Sequence, residues 1–137
     1  MKGKIWLTQK SLFKTLKSID NILQLCPNIY ANVPKNAIMP YILIKSIKIK
    51  DYIDVQCIRK NVEFEISIFD KSQSIKNISN VSDEIETNLT INNISTNQDS
   101  NINFLSLEHI ETSISNDIQT SILNIVIKYH AICEFKM

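Results

Sequence analysis

At Asp70 the spacing of apolar residues changes from two to about 3.6, and this switch constrains the fold more than any other feature of the chain. Before it, Val62, Phe64, Ile66 and Ile68 alternate with Asn61, Glu63, Glu65 and Ser67, the pattern of a strand with one buried and one wet face. After it, Ile75, Ile78, Ser82, Ile85 and Leu89 share one helical face over 73–89, with Asp83, Glu84 and Glu86 turned away. Ser72 or Ser74 can cap the start of that helix. A strand that feeds directly into an amphipathic helix belongs to a mixed α and β architecture.

Leu12, Leu16, Ile19 and Leu23 recur at helical spacing, widened by Phe13 and Ile22 and extended by Trp6 and Leu7. Ser18 and Asp20 are competent N-caps. The segment therefore reads either as one helix, or as a helix to about Lys17 and a short second one through Gln24; Pro27 stops it. Ile29-Tyr30 is a short strand broken at Asn32-Val33-Pro34. Pro40 then stands before a strand over Tyr41–Lys50, where it biases Met39 toward extended backbone. That strand ends in the alternation Ile47-Lys48-Ile49-Lys50. Asp51 to Lys60 has no clean period and reads as a loop or flap.

Thr90 to Asn101 is polar and Asn-rich, with Ile91 and Ile94 as weak anchors, and is expected to be a partly mobile connection. Ile102–Ile110 and Ser121–Glu134 read as the last long strands, paired as a hairpin through a turn at Ser115-Asn116-Asp117. The expected fold is α+β: one domain over 1–137, with a mostly antiparallel four- to five-stranded sheet and two principal helices packed on one face. Ile66, Ile68, Ile78, Ile85, Ile125 and Ile127 are its expected core.

The chain has a single glycine. Turns must therefore rest on Asn, Asp, Ser and Pro, and a phosphate-cradling loop is close to excluded. No apolar run approaches the ~20 residues that span a bilayer, so no membrane partner is expected. The start MKGKIWLTQK is basic but lacks a sustained apolar stretch and does not read as a signal peptide. Cys26, Cys57 and Cys133 are odd in number and scattered, with no CxxC; the reading is a reduced, cytoplasmic origin.

No constellation suggests catalysis. His130 and Cys133 form an H-x-x-C pair, but on a strand they face opposite ways, and zinc needs three or four ligands. No base is marked beside any cysteine. Glu63 and Glu65 share a wet strand face and read as solvated. Catalytic, metal and cofactor-binding residues are accordingly expected to be absent, and the chain is not expected to be an enzyme.

The net charge of +1 conceals polarity. Residues 1–76 hold thirteen Lys and Arg against six Asp and Glu, whereas 77–127 hold seven Asp and Glu and no Lys or Arg. A nucleic-acid binder would carry a basic excess overall. A polarised, nearly neutral chain suits contact between copies. Lys45, Lys48, Lys50, Arg59 and Lys60 cluster around the first long strand and the flap. Asp83, Glu84 and Glu86 form the acidic counterpart. In the flap, Tyr52, Ile53, Val55 and Ile58 are costly to expose and are expected to be covered by a neighbour. One aromatic among these cations argues against stacking single-stranded DNA, so direct DNA binding is not expected.

Three local signatures, in this order, resemble the tail-completion or tail-terminator family of long-tailed phages and gene transfer agents. They are Ile29-Tyr30 with Val33-Pro34 and Pro40-Tyr41; the strand into Ile68-Phe69-Asp70 with its helix through Ser82-Asp83-Glu84-Ile85; and the closing strand ILNIVIKYHAICEF. The segment from Thr90 to Ser100 departs from the family in lacking a short Gly- or Asp-containing turn. The flap is more apolar than is usual there. The resemblance implies a structural α+β subunit that forms a ring, commonly a hexamer, on the head-proximal end of the tail of a phage-like particle. Such a ring caps the tail tube, ends its growth and offers a surface to the head-side connector protein. The competing reading is a small α+β interaction module unrelated to virions.

Overall fold

Two strands from distant parts of the chain form the centre of the molecule. The computed structural model describes residues 3–52 and 58–136. In chain order its elements are α1 (Lys4–Lys17), α2 (Asp20–Leu25), β1 (Ile29–Tyr30), β2 (Tyr41–Asp51), β3 (Arg59–Lys71), a 3-10 turn (Ser72–Ser74), α3 (Ile75–Asn88), α4 (Ile91–Asn97), β4 (Ile102–Asp117) and β5 (Ile122–Phe135). The five strands form one sheet in the order β1-β2-β3-β5-β4. β3 and β5 pair antiparallel from Arg59↔Glu134 to Lys71↔Ile122 without a break in register.

The α+β class holds, but the sheet is mixed. β2–β3 and β4–β5 are antiparallel, whereas β1 runs parallel to β2 through Ile29↔Ile42 and Tyr30↔Leu43. Tight turns join antiparallel neighbours, and parallel ones need a longer return. The segment 31–40, which includes a cis Met39–Pro40 peptide, provides it.

The core follows strand alternation. Val62, Phe64, Ile66 and Ile68 on β3 join alternate β5 residues from Leu123 to Phe135 and Ile42 and Ile44 on β2. Leu7, Leu12 and Leu16 of α1, Ile78, Val81 and Ile85 of α3, and Ile94 of α4 belong to the same cluster. The six residues expected in the core are at most 5 % exposed. Trp6 departs from its expected place beside Leu7: Leu7 is buried, while Trp6 is 45 % exposed. On the buried face of α1, Thr8, Ser11 and Thr15 donate to the carbonyls of Lys4, Leu7 and Ser11. Short hydroxyl side chains that bond to their own helix can be buried without leaving a polar group unpaired.

Four boundaries differ from the sequence reading. The connection over 90–101 contains α4, because Thr90 Oγ1 accepts from the Asn93 N–H at 3.3 Å and Ile94 anchors the helix in the core. The last turn lies at 118–121, not at Ser115–Asp117, and β4 runs on to Asp117. There the Asp117 carboxylate accepts from the Gln119 N–H and its carbonyl from the Ser121 N–H, so Asp117 opens the turn that its residue type suggested. Asp51, Arg59 and Lys60 are strand residues, not parts of a flap. α3 starts at Ile75 after the 3-10 turn, with Ser74 at its N-cap position but without a side-chain cap. The first helical region takes the two-helix form, separated at Ser18-Ile19.

The two outer long strands, β2 and β4, are bulged. In β2 the register shifts between Lys45 and Lys48, so Ser46 and Ile47 together oppose Phe64. Ser46 takes a left-handed φ of 56°, as the first residue of one type of bulge does. In β4 the register shifts between Phe104 and Ser106 and again between His109 and Glu111.

Two stability outcomes follow. Ile66→Ala and Ile127→Ala should each cost about 2–5 kcal/mol in urea unfolding, since both empty a filled core; Ile118→Ala, at 88 % exposure, should stay within about 0.5 kcal/mol. Ser46→Gly should raise stability by up to about 1 kcal/mol by relieving left-handed strain, whereas Ser46→Val should lower it. Equal effects of the two Ser46 changes would rule out strain at the bulge.

Candidate assembly surface

The strand positions that alternate with the core carry charge in ordered rows. Register places Lys45 beside Glu65, Glu65 beside Lys128, and Lys128 beside Glu111. The next row reads Lys48, Glu63, His130 and Glu108. Signs alternate from β2 to β4 along the first row, and on β3 Glu65 lies between Lys45 and Lys128 while Glu63 lies between Lys48 and His130. Lys128 Nζ is 3.1 Å from Glu111 Oε1, and Lys50 Nζ is 4.0 Å from Glu63 Oε2. The Glu111 contact holds the Lys128 ammonium above its usual pKa. Exposed pairs of this kind contribute about 0–1 kcal/mol each, so the rows set register more than they add stability.

The residues singled out from the sequence are distributed as follows. Lys45, Lys48 and Lys50 project from the charged face of β2, with Lys48 and Lys50 exposed and Lys45 half-buried. Tyr52, half-buried, follows β2, and Ile58, half-buried, precedes β3. The Ile58 carbonyl accepts from the Phe135 N–H. Ile53 and Val55 lie outside the described residues. Arg59 and Lys60 open β3, and Lys60 donates to Asp51 Oδ1 at 2.6 Å. That bond lowers the Asp51 pKa.

The α3 carboxylates do not continue this surface. Asp83 is exposed, Glu84 accepts from Asn88 Nδ2 at 3.0 Å, and Glu86 accepts from Thr112 Oγ1 at 3.0 Å and lies 3.0 Å from His109 Nε2. Glu86 therefore ties α3 to β4. Glu108 and Glu111, the acidic end of the rows, were missed because Glu108-His109-Ile110-Glu111 shows no strand period until a bulge is inserted.

The remaining polar candidates occupy separate settings. His130 Nε2 donates to Asn61 Oδ1 at 2.9 Å on the charged face, and Cys133 is buried in the core. Burial pushes the Cys133 thiol up to about 12 and the Cys26 thiol up to about 11. Among the described residues, no group of three His, Cys, Asp or Glu side chains could hold a metal, and no helix is long and apolar enough to cross a membrane.

Among the described residues, the exposed large apolar side chains other than Ile75, at the start of α3, gather at the two sides of the sheet. Ile5, Trp6, Val33 and Ile38 lie around β1 and the start of α1, while Leu105, Ile110, Ile114 and Ile118 lie on β4 and its turn. Beside β2, where β1 ends, runs a groove of about 410 Å³ lined in part by Ile5, Val33, Leu43 and Ile47. Between the two edge bulges, Ser46 and Ile110 help to line a hollow of about 300 Å³ over Glu63, Glu65 and Lys128.

No family model matches the sequence, and no curated relative matches it. Among solved structures, a chain from the virion of a native gene transfer agent (GTA) particle has the same fold. It matches with a TM-score of 0.78 and 14% sequence identity, covering 92% of this chain and 93% of that one.

Native Cys26 and Cys133 should stay unmodified during brief iodoacetamide treatment at pH 7.5, since the thiolate is the reactive form and both pKa values lie far above that pH. Peptide mass spectrometry after denaturation should show both labelled. Rapid native labelling of either would contradict its burial.

Proposed function

We propose that this chain is a structural subunit of a phage-like particle that caps the tail tube, ends its polymerisation and presents the tail-side surface to the head. The observation that carries the reading is the full-length match in fold to a virion chain, with over nine-tenths of both chains covered. The order of the sequence signatures from Ile29-Tyr30 to the closing strand supports the finer assignment to the tail end. In this reading the helices occupy one face of the sheet and the charged face stays open to neighbours. The partners are other copies in a ring, a hexamer by resemblance, together with the tube protein and the head-side connector. DNA only passes through, and the chain catalyses no reaction.

Such a role is geometric. A ring subunit needs two different surfaces that fit one another, a heterologous contact that closes. The opposite signs at the two ends of the charge rows and the apolar side chains beyond them provide two such surfaces. Charge sets approach and register, and apolar contact supplies most of the affinity.

The test uses tail-tube protein from the same genome, polymerised in vitro with increasing amounts of this chain. Mean tube length should fall as the chain is added, and gold-labelled chain should appear at one tube end by electron microscopy. Unchanged tube lengths with no end labelling would leave the interaction-module reading in its place.

A further inference from the structure

We propose that copies of this chain join edge to edge, with β4 of one copy adding to the open edge of β2 in the next so that the sheet continues across the contact. The inference deepens the self-assembly part of the reading above and rests on it only for the premise that copies associate.

β1 pairs with β2 only at Ile42 and Leu43, so no described strand covers β2 from Ile44 to Asp51. β4 is the other edge of the sheet. β2 and β5 run one way, β3 and β4 the other. A neighbour in the same orientation therefore presents its β2 antiparallel to β4, the geometry already used within the sheet.

The two edges match in register. The β2 bulge between Lys45 and Lys48 and the β4 bulge between His109 and Glu111 stand at the same level, opposite Phe64 and Tyr129, which are themselves paired. Each edge thus spends one extra residue over the same interval. Placing Lys45 against Glu111 automatically places Lys48 against Glu108, Ile49 against Leu107 and Lys50 against Ser106. Charged side chains fall on the charged face and apolar ones on the core face. The first row then continues in alternating sign from one copy into the next, and the second meets at the contact as Lys48 against Glu108.

Beyond Thr112 the hairpin tip must pass β1, because β1 already occupies that part of β2. This brings the exposed Ile114 and Ile118 toward the apolar cluster around Ile5, Trp6 and Val33. Charged, bulged edges also protect a monomer from aggregation. Protection does not require opposite signs on the two edges, bulges at one level, or apolar clusters on both.

Two experiments test the contact. In the first, Lys45→Glu with Lys48→Glu is one variant, and Glu108→Lys with Glu111→Lys is the other. Each gives like charges across the contact, and sedimentation should show association weakened roughly tenfold or more. An equimolar mixture should recover it, since each reversed edge then meets an opposite one. Misfolding cannot produce that recovery.

In the second, performed in a Cys57→Ser background, Lys50→Cys mixed with Ser106→Cys should form a disulfide-linked heterodimer under mild oxidation. Lys50→Cys mixed with Ser113→Cys, out of register, should not. Equal cross-linking in both mixtures, no cross-linking at any concentration, or a variant mixture that stays dissociated would overturn the proposal. If the wild type forms rings but the Lys50–Ser106 link fails, the edge contact is wrong and the ring stands. If the link forms but tubes are not capped, the functional reading is wrong and the edge contact stands.

Discussion

The pairing of β3 with β5 is the constraint on which everything else is arranged. It is a long pairing without a bulge, and it fixes which side chains enter the core and which face outward along both strands. Because side chains alternate with period two, one slipped residue would exchange Phe64 and Ile66 for Glu63 and Glu65 in the core. Such a slip would place carboxylates where Ile78 and Ile85 of α3 belong. The hydrophobic pattern therefore enforces the register, and the register in turn lines up the charges on the opposite face.

The edges are less constrained, and there the chain departs from simple alternation. Bulges shift the parity of β2 and β4 while keeping apolar residues inward: Ile42 and Ile44 before the β2 bulge, Ile47 and Ile49 after it. A left-handed residue is needed at the β2 bulge and another at the end of the last turn. Ser46 and Ser121 fill both places, in a chain whose only glycine stands before α1. The same irregularities that interrupt each edge give the two edges a common outline.

Much of this was legible where the period was pure. Most of the β3 alternation, the α3 face from Ile78 on and the six core isoleucines follow from residue spacing alone, whereas Ile75 is exposed, Ser67 is buried, and spacing left one helix or two open at the start. The parts that were not legible have local physical causes. α4 is short and polar, and it is held by the Thr90 cap and one buried isoleucine, so its hydrophobic signal is weak. The true turn opens at Asp117 because that side chain caps 118–121, while Ser115 and Asn116 remain strand despite their turn-forming types. The phase change from Ile44 to Ile47 was a visible sign of the β2 bulge. The acidic edge at Glu108 and Glu111 could be recognised only once β4 was placed beside β5. The charge polarity of the chain was plain, but that the carboxylates in the cross-strand rows are those of β4 could be read only from the register.

The central position of β5 has a consequence for how the chain reaches this state. Its neighbour β4 precedes it directly and its other neighbour β3 lies far back, with α3, α4 and β4 between. The β2–β3 and β4–β5 hairpins are local and can form early, on the microsecond scale of such units. Joining them requires closure of a long loop, a step that slows folding as contacts grow less local. Until they join, the inner edges of both hairpins are bare and lined by the isoleucines that later form the core. The interval before docking is thus when the chain is most exposed to wrong strand pairing, and in that interval its guarded outer edges offer no protection.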